Sequence, residues 1–242
     1  MPDDARSELS VPGQLRAGIN LGNSLLVTGR GPKGEPQGVA PDVAAALAER
    51  LGVAVSLVTF ASPGEVADAV ARDAWDIALI AEEPERAETI DFCGAYVEID
   101  ATYLVPAGSP LQSIDEVDRP GLRIAVSQRA AYDLYLSRTL RHATLQRAKG
   151  HGGAVELLTT EKLDALAGLL PALQKTQAAL PGSRILEGRY TAVRQAVGTR
   201  PGNAALKAFV QAFLAEARES GLISGLIDRH GVAGKLQVAS AD

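Results

Sequence analysis

The chain has 242 residues, 46% hydrophobic but only 4% aromatic, so its core must be built mainly from Ala, Leu and Val. With 24 basic and 29 acidic side chains the net charge is −5, and no Lys/Arg block is long enough for a nucleic-acid groove, so no nucleic-acid partner is expected. One cysteine, Cys93, excludes an intrachain disulfide, and His142, His151 and His230 are scattered without ligand spacing, so neither metal nor cofactor is expected.

Residues 1–13 read as a loose polar lead-in, without the basic n-region and apolar h-region of a secretory signal. A cytoplasmic protein and a mature chain with an added Met both fit. No segment approaches the ~20 apolar residues that span a bilayer. "LRAGINLG" (15–22) predicts a strand ending in a Gly/Asn turn, and the Gly/Pro-rich 23–38 a loop or a hairpin. Val43, Ala46, Leu47 and Leu51 predict a helix started by Pro41 and Asp42 and stopped by Gly52. A strand at 53–60, a helix at 63–74 and the short apolar strand "WDIALIA" (75–81) follow. This β/α alternation predicts a mostly parallel sheet covered by helices.

The pattern then restarts. A strand beginning at Thr102 is followed by a Pro/Gly loop with a short acidic helix, a strand at 122–127 and a helix at 130–141. "GGAVELLTTEK" predicts a helix, "LDALAGL" a strand, and 171–180 another helix. "RILEG" and the strand-like "YTAVRQAVGTRPG" lead to a tail with Leu206, Phe209, Val210, Phe213 and Leu214 at helical spacing. Gly221 separates it from a shorter helix carrying Leu222, Ile223, Leu226 and Ile227. There are thus two α/β units, and the C-terminal helices, which show no sheet of their own, have the first unit to pack back on.

The "G-x-x-x-D" helix start at Gly38–Asp42, "DIAL", "PERA", "IDF" and the later Tyr96, "YLVPAGSPLQSIDEVDRPGLRIAV" and the terminal "LKAFVQAFLAEARESGLISGLI" carry a resemblance over about 15–230. The chain resembles the bacterial extracellular solute-binding proteins of family 3, the polar amino-acid receptors of ABC transporters. The resemblance implies a type 2 periplasmic binding protein fold: two α/β domains joined by two hinge strands, with a solute bound in the cleft and closure signalled to a permease. It places the crossings near Tyr96–Asp100 and Ala192–Ala196, giving domain one as 1–97 plus 195–242 and domain two as 98–194. It further implies a periplasmic monomer whose partners are a small solute and an ABC permease.

Arg86 falls where that family has its ligand arginine, and a planar guanidinium suits a carboxylate through two parallel hydrogen bonds. The competing reading pairs Arg86 with Glu82, Glu83 or Glu85 on the surface, where such bridges contribute about 0–1 kcal/mol. The family's hydroxyl-bearing segment before this arginine is here "IAEEPER", so Glu82 and Glu83 stand either beside the ligand, attracting a cationic group, or in a solvated turn. The family's Gly-Ser/Thr helix start corresponds to Ser127, Gln128, Arg129 and Ala130, followed by Ala131. Its ammonium-gripping acid is replaced by Leu169 and Leu170, which departs from ordinary α-amino-acid recognition. Asn20 and Asn23 fall where the family often stacks an aromatic residue, and Asn is equally a turn residue. Glu98 and Gln195 lie near the hinges, Trp75 reads as packing and Cys93 as a small buried residue. No catalytic residue is assigned. Two alternatives stand beside the receptor: a cytosolic or degenerate receptor-like sensor, and a dehydratase-like enzyme with Glu82 or Glu83 as general acid.

Overall fold

The structure, a computed structural model, describes residues 2–240. Met1, Ala241 and Asp242, at the ends of the expected lead-in and of the expected first domain, lie outside the described residues. The chain divides into two compact units: residues up to Glu98 together with those from Arg194 onward, and Ile99–Val193. Each is a mixed α/β layer of sheet and helices.

Unit 1 opens with α1 (Pro2–Ser7) and β1 (Gln14–Asn20). The Gly/Pro-rich stretch forms the antiparallel hairpin β2 (Gly29–Arg30) and β3 (Pro36–Gln37). α2 (Val39–Leu51) buries Val39, Val43, Leu47 and Leu51 and stops at Gly52, whose φ of 73° lies in the left-handed region that glycine tolerates best. β4 (Ala54–Phe60) runs parallel to β1. α3 (Pro63–Asp68) starts where the Ser62 hydroxyl accepts the Glu65 N–H at 3.2 Å, and a 3-10 turn over Ala69–Arg72 completes the expected 63–74 helix.

β5 (Ile77–Ala81) is parallel to β1 and buried throughout. Trp75 just before it is fully buried and donates its Nε1–H to the Val66 carbonyl at 2.9 Å. Gly18 of β1 lies under that ring, where a Cβ would come within 2.9 Å of it, so Trp75 is a packing residue and position 18 admits no side chain. α4 (Pro84–Ala87) is one turn, too short to show a period. β6 (Asp91–Val105) is a single 15-residue strand that carries the chain into unit 2 and begins well before the strand expected at Thr102.

Unit 2 contains β7 (Arg123–Ser127), α5 (Ala131–Thr139), β8 (Thr144–Ala148), α6 (Gly150–Thr160), β9 (Ala165–Leu169), α7 (Leu170–Ala179) and β10 (Arg184–Ile185). The strand order is β6-β9-β7-β8, with β7 parallel to β8 and β9, and β6 antiparallel to β9. The core gathers Leu104, Ala125, Ala154, Leu158, Leu163, Leu166 and Leu173, the Ala/Leu composition that the low aromatic content demands. β8 escaped the sequence pattern because it is an edge strand of polar, largely exposed residues, the usual protection of an open edge.

β11 (Thr191–Thr199) returns to unit 1 antiparallel to β5. α8 (Ala204–Glu219) and α9 (Leu222–Arg229) follow, and β12 (Gln237–Val238) pairs with Val97 and Glu98 of β6. Both helices pack against α2. The described part of the lead-in is not loose. Ala5 and Leu9 are buried, and α1 packs on α8. The Glu8 carboxylate accepts the N–H groups of Ala205 at 3.2 Å and Leu206 at 2.7 Å, capping α8, whose own N-cap Asn203 makes no side-chain cap. Arg6 Nε donates to the Leu51 carbonyl at 2.6 Å at the other end of α2. These contacts span long sequence distances, so periodicity cannot show them.

Asp76 ties this unit together. Fully buried, it accepts the Ser10 N–H at 3.2 Å, the Arg16 N–H at 2.9 Å and the Arg16 guanidinium at 2.9 Å. Burial pushes its carboxyl up, but the Arg16 side-chain bond and the Arg16 and Ser10 backbone bonds outweigh that, so it titrates below the usual carboxylate value. A folded pKa below the unfolded one gives stability that is present above the unfolded value near 3.8 and lost as pH falls through the depressed folded value. Asp76→Ala is therefore expected to destabilise the fold by about 3 kcal/mol at neutral pH, and to flatten the acid limb of the stability curve. Urea denaturation of parent and variant across pH checks both.

Candidate functional site

In unit 1 the carboxyl ends of the parallel strands β1 and β5 come side by side, the end of an α/β sheet at which ligands bind. Asn20 closes β1, and its Oδ1 accepts the Gly22 N–H at 2.9 Å. Asn23 accepts the Leu25 N–H at 3.1 Å, and its carbonyl takes the N–H groups of Leu26 and Val27. Both asparagines thus shape the turn after β1, and neither turn uses the side-chain N–H groups.

Arg86 lies in α4, one turn beyond β5. It is 4% exposed, and its Nη1 donates to the Ala81 carbonyl at 2.7 Å. It is therefore buried rather than solvated. Its own carbonyl accepts the N–H groups of Thr89 at 3.1 Å and Ile90 at 3.0 Å, fixing the chain that leads into β6. Gln195, buried in β11, stands opposite Ala81.

Glu82 is held by Arg194 of β11, Nε to Oε1 at 2.5 Å, and its N–H donates to the Arg194 carbonyl at 3.0 Å. Glu83 is the first residue before α4, and its carbonyl takes the Ala87 N–H at 2.9 Å without a side-chain cap. Glu98 is half-buried and faces Gln237 in the β6–β12 register. Cys93 is buried, and that burial pushes its thiol up to about 12, so it remains an un-ionised thiol at neutral pH.

In unit 2 the corresponding carboxyl ends are Ser127 of β7 and Leu169 of β9. Ser127 is buried and hydrogen-bonds the Tyr132 hydroxyl, which burial pushes up to about 12. Gln128 is exposed, with its N–H on the Ala148 carbonyl at 2.9 Å. Arg129 is exposed and adopts φ 58°. That left-handed backbone explains why glycine suits this position, and a side chain there costs about 1 kcal/mol.

Its N–H donates to the buried Asp133 at 2.8 Å, and Asp133 is paired with Arg147 at 2.9 Å. Ala130 precedes α5 and offers backbone only; its N–H goes to the Ser127 carbonyl at 3.2 Å. Leu169 and Leu170 are half-buried at the start of α7. Missing from the sequence reading is a tyrosine group: Tyr103 and Tyr135 lie with ring centroids 4.6 and 6.0 Å from Tyr190. The i, i+3 pair Tyr132 and Tyr135 in "YDLY" is the signal that could have found it. Among the described residues no group of three His, Cys, Asp or Glu could hold a metal.

Both partners of the Glu82–Arg194 pair are about a quarter exposed. A double-mutant cycle with Glu82→Ala and Arg194→Ala, read by urea denaturation, should give a coupling of about 1 kcal/mol. A coupling near zero would return Glu82 to the solvated-turn reading.

Solved structures share this fold. A putative ABC-transporter binding component from Wolinella succinogenes DSM 1740, complexed with lysine, is 21% identical, with 90% of this chain and 96% of that one covered and a TM-score of 0.75. A mutant of ArgBP from T. maritima is 19% identical over 94% and 99%, with a TM-score of 0.75. The ancestral amino acid-binding protein AncCDT-1, a precursor of cyclohexadienyl dehydratase, is 21% identical over 90% and 94%, with a TM-score of 0.73. No curated protein matches the chain. At such identities the likeness establishes the type 2 periplasmic binding protein fold. The family itself follows from the sequence model of the bacterial extracellular solute-binding proteins, family 3, which matches residues 26–233, so the chain belongs to that family.

Proposed function

We propose that the protein is a non-enzymatic, ABC-type solute receptor that works outside the cytoplasm and delivers a small carboxylate-bearing or amino-acid-like solute to a permease. The observation that carries this reading is Arg86, a buried guanidinium fixed to the carbonyl at the carboxyl end of β5. A guanidinium held in one orientation has little rotamer freedom left to lose, and its fork matches a carboxylate. Unit 2 supports the reading through the start of α5, where the first N–H groups of a nine-residue helix follow Ser127–Ala130. The solute departs from the lysine of the Wolinella succinogenes complex in one respect. Leu169 and Leu170 offer no carboxylate for an ammonium group, so recognition rests on the acid end of the solute.

Isothermal titration of the protein against amino acids and organic acids tests this. A carboxylate-bearing ligand is expected to bind, and Arg86→Ala to weaken it by about 100-fold. Arg86→Lys, which keeps the charge and loses the fork, should recover only part of that. A parent that binds no member of the panel, or an Arg86→Ala variant that binds as tightly as the parent, would overturn the reading.

A further inference from the structure

Four of the five tyrosines fall in unit 2, and all four converge. Tyr190 is at the centre: its ring lies 4.6 Å from that of Tyr103, tilted by 39°, and 6.0 Å from that of Tyr135, stacked within 22°. The Tyr132 hydroxyl is answered by Ser127. The Tyr190 hydroxyl is buried and has no hydrogen-bond partner among the described residues.

The register of the sheet shows where this group stands. The Tyr190 N–H donates to the Ala101 carbonyl of β6 at 3.0 Å. Ala101 is opposite Leu169 of β9, and Tyr103 is opposite Ala167. Side chains alternate along a strand, so Ala101, Tyr103, Ala167 and Leu169 share one face of the sheet. Leu104 and Leu166 belong to the other face, packed with Ala154, Leu158 and Leu173 of α6 and α7. The ring contact with Tyr103 puts Tyr190 on the Leu169 face, and Tyr135 and Tyr132 of α5 complete it. The face therefore ends at Leu169, the carboxyl end of β9, where a parallel sheet receives its ligand, with Val126 as the last residue of β7 on this face.

A buried hydroxyl without a partner is destabilising, so it favours any state in which a polar group reaches it. Around it stand aromatic rings and a leucine, surfaces that bind apolar matter, and Tyr103 and Tyr190 pack as aromatic pairs do. We propose that this tyrosine-lined face of unit 2 determines solute specificity, taking an aromatic ring against the half-buried Tyr135, Tyr190 and Leu169, with Tyr103 sealed behind them and the Tyr190 hydroxyl hydrogen-bonding a polar group on that solute. The proposal rests on the receptor reading and narrows its solute to aromatic amino acids and aryl carboxylates. Burial also keeps Tyr190 un-ionised, well above its ordinary range, so the hydroxyl can both donate and accept.

The test is titration of the parent and of Tyr190→Phe with L-phenylalanine, L-tyrosine, 4-hydroxyphenylacetate, L-arginine and L-lysine, with thermal melts of both proteins without ligand. The parent is expected to bind ring-bearing probes in preference to L-arginine and L-lysine. Tyr190→Phe should weaken the best ring-bearing probe about tenfold, while melting at the same temperature as the parent or higher, since it removes an unsatisfied group. A parent that binds L-arginine or L-lysine but no ring-bearing probe overturns this proposal and leaves the receptor reading standing. So does a Tyr190→Phe variant that binds like the parent, the result expected if a trapped water answers the hydroxyl. A ligand-free variant that melts lower assigns the hydroxyl a structural partner and also overturns the proposal. A parent that binds neither these probes nor any amino or organic acid overturns both.

Discussion

The carboxylate of Asp76 is the constraint from which the arrangement of unit 1 follows. It sits at the start of β5 and binds both the backbone and the side chain of Arg16 on β1, so it fixes these parallel strands side by side at one end. Strands fixed there bring Asn20 and Ala81 together at the other end, and Ala81 in turn holds Arg86. Arg16 also pairs with Asp73, which Arg200, just beyond β11, and the Ser10 hydroxyl reach in turn. A buried ion pair adds little net stability over an apolar substitute, but it specifies which groups must meet. Here it sets the register that places Ala81, the carbonyl that holds Arg86.

The candidate site combines a retained cation with lost polar partners. Glu82 and Arg194 neutralise each other across β5 and β11, so the acidic stretch around Arg86 presents less charge than its composition suggests. At the α5 start, Asp133 takes the Arg129 N–H and Arg147 takes Asp133, an internal pairing that orders the turn. Leu169 and Leu170 leave the carboxyl end of β9 apolar, on the face that carries the tyrosine rings. On the proposed reading, burying an apolar solute group there contributes roughly 25 cal/mol per Å².

How far the fold could be read from the chain depended on whether a signal was local. α2 was legible because Val43, Leu47 and Leu51 repeat at helical spacing and Gly52 stops them. β5 was legible as an unbroken apolar run. β8 was not, since an edge strand of Thr144, Gln146 and Arg147 buries too little to look like a strand. α1 was not, because Arg6 and Glu8 act on helices far along the chain. At the candidate site, the position of Arg86 just beyond β5 was legible from the apolar run before it, whereas the tyrosine group joins Tyr103, Tyr132, Tyr135 and Tyr190 from three separate segments. Only the register of β6 against β9, and the return of the chain at Tyr190 beside Ala101, brings them together.

The distribution of aromatic residues also divides the molecule optically. The only tryptophan, Trp75, is sealed in unit 1 between α3, β1 and β5, with its indole nitrogen bonded to the Val66 carbonyl. Four of the five tyrosines, close enough to couple their transitions, belong to unit 2. Indole emission therefore follows the melting of one unit, and tyrosine dichroism chiefly that of the other. The native chain thus carries two separate spectroscopic labels, so whether its halves unfold together or in sequence can be read without attaching a dye.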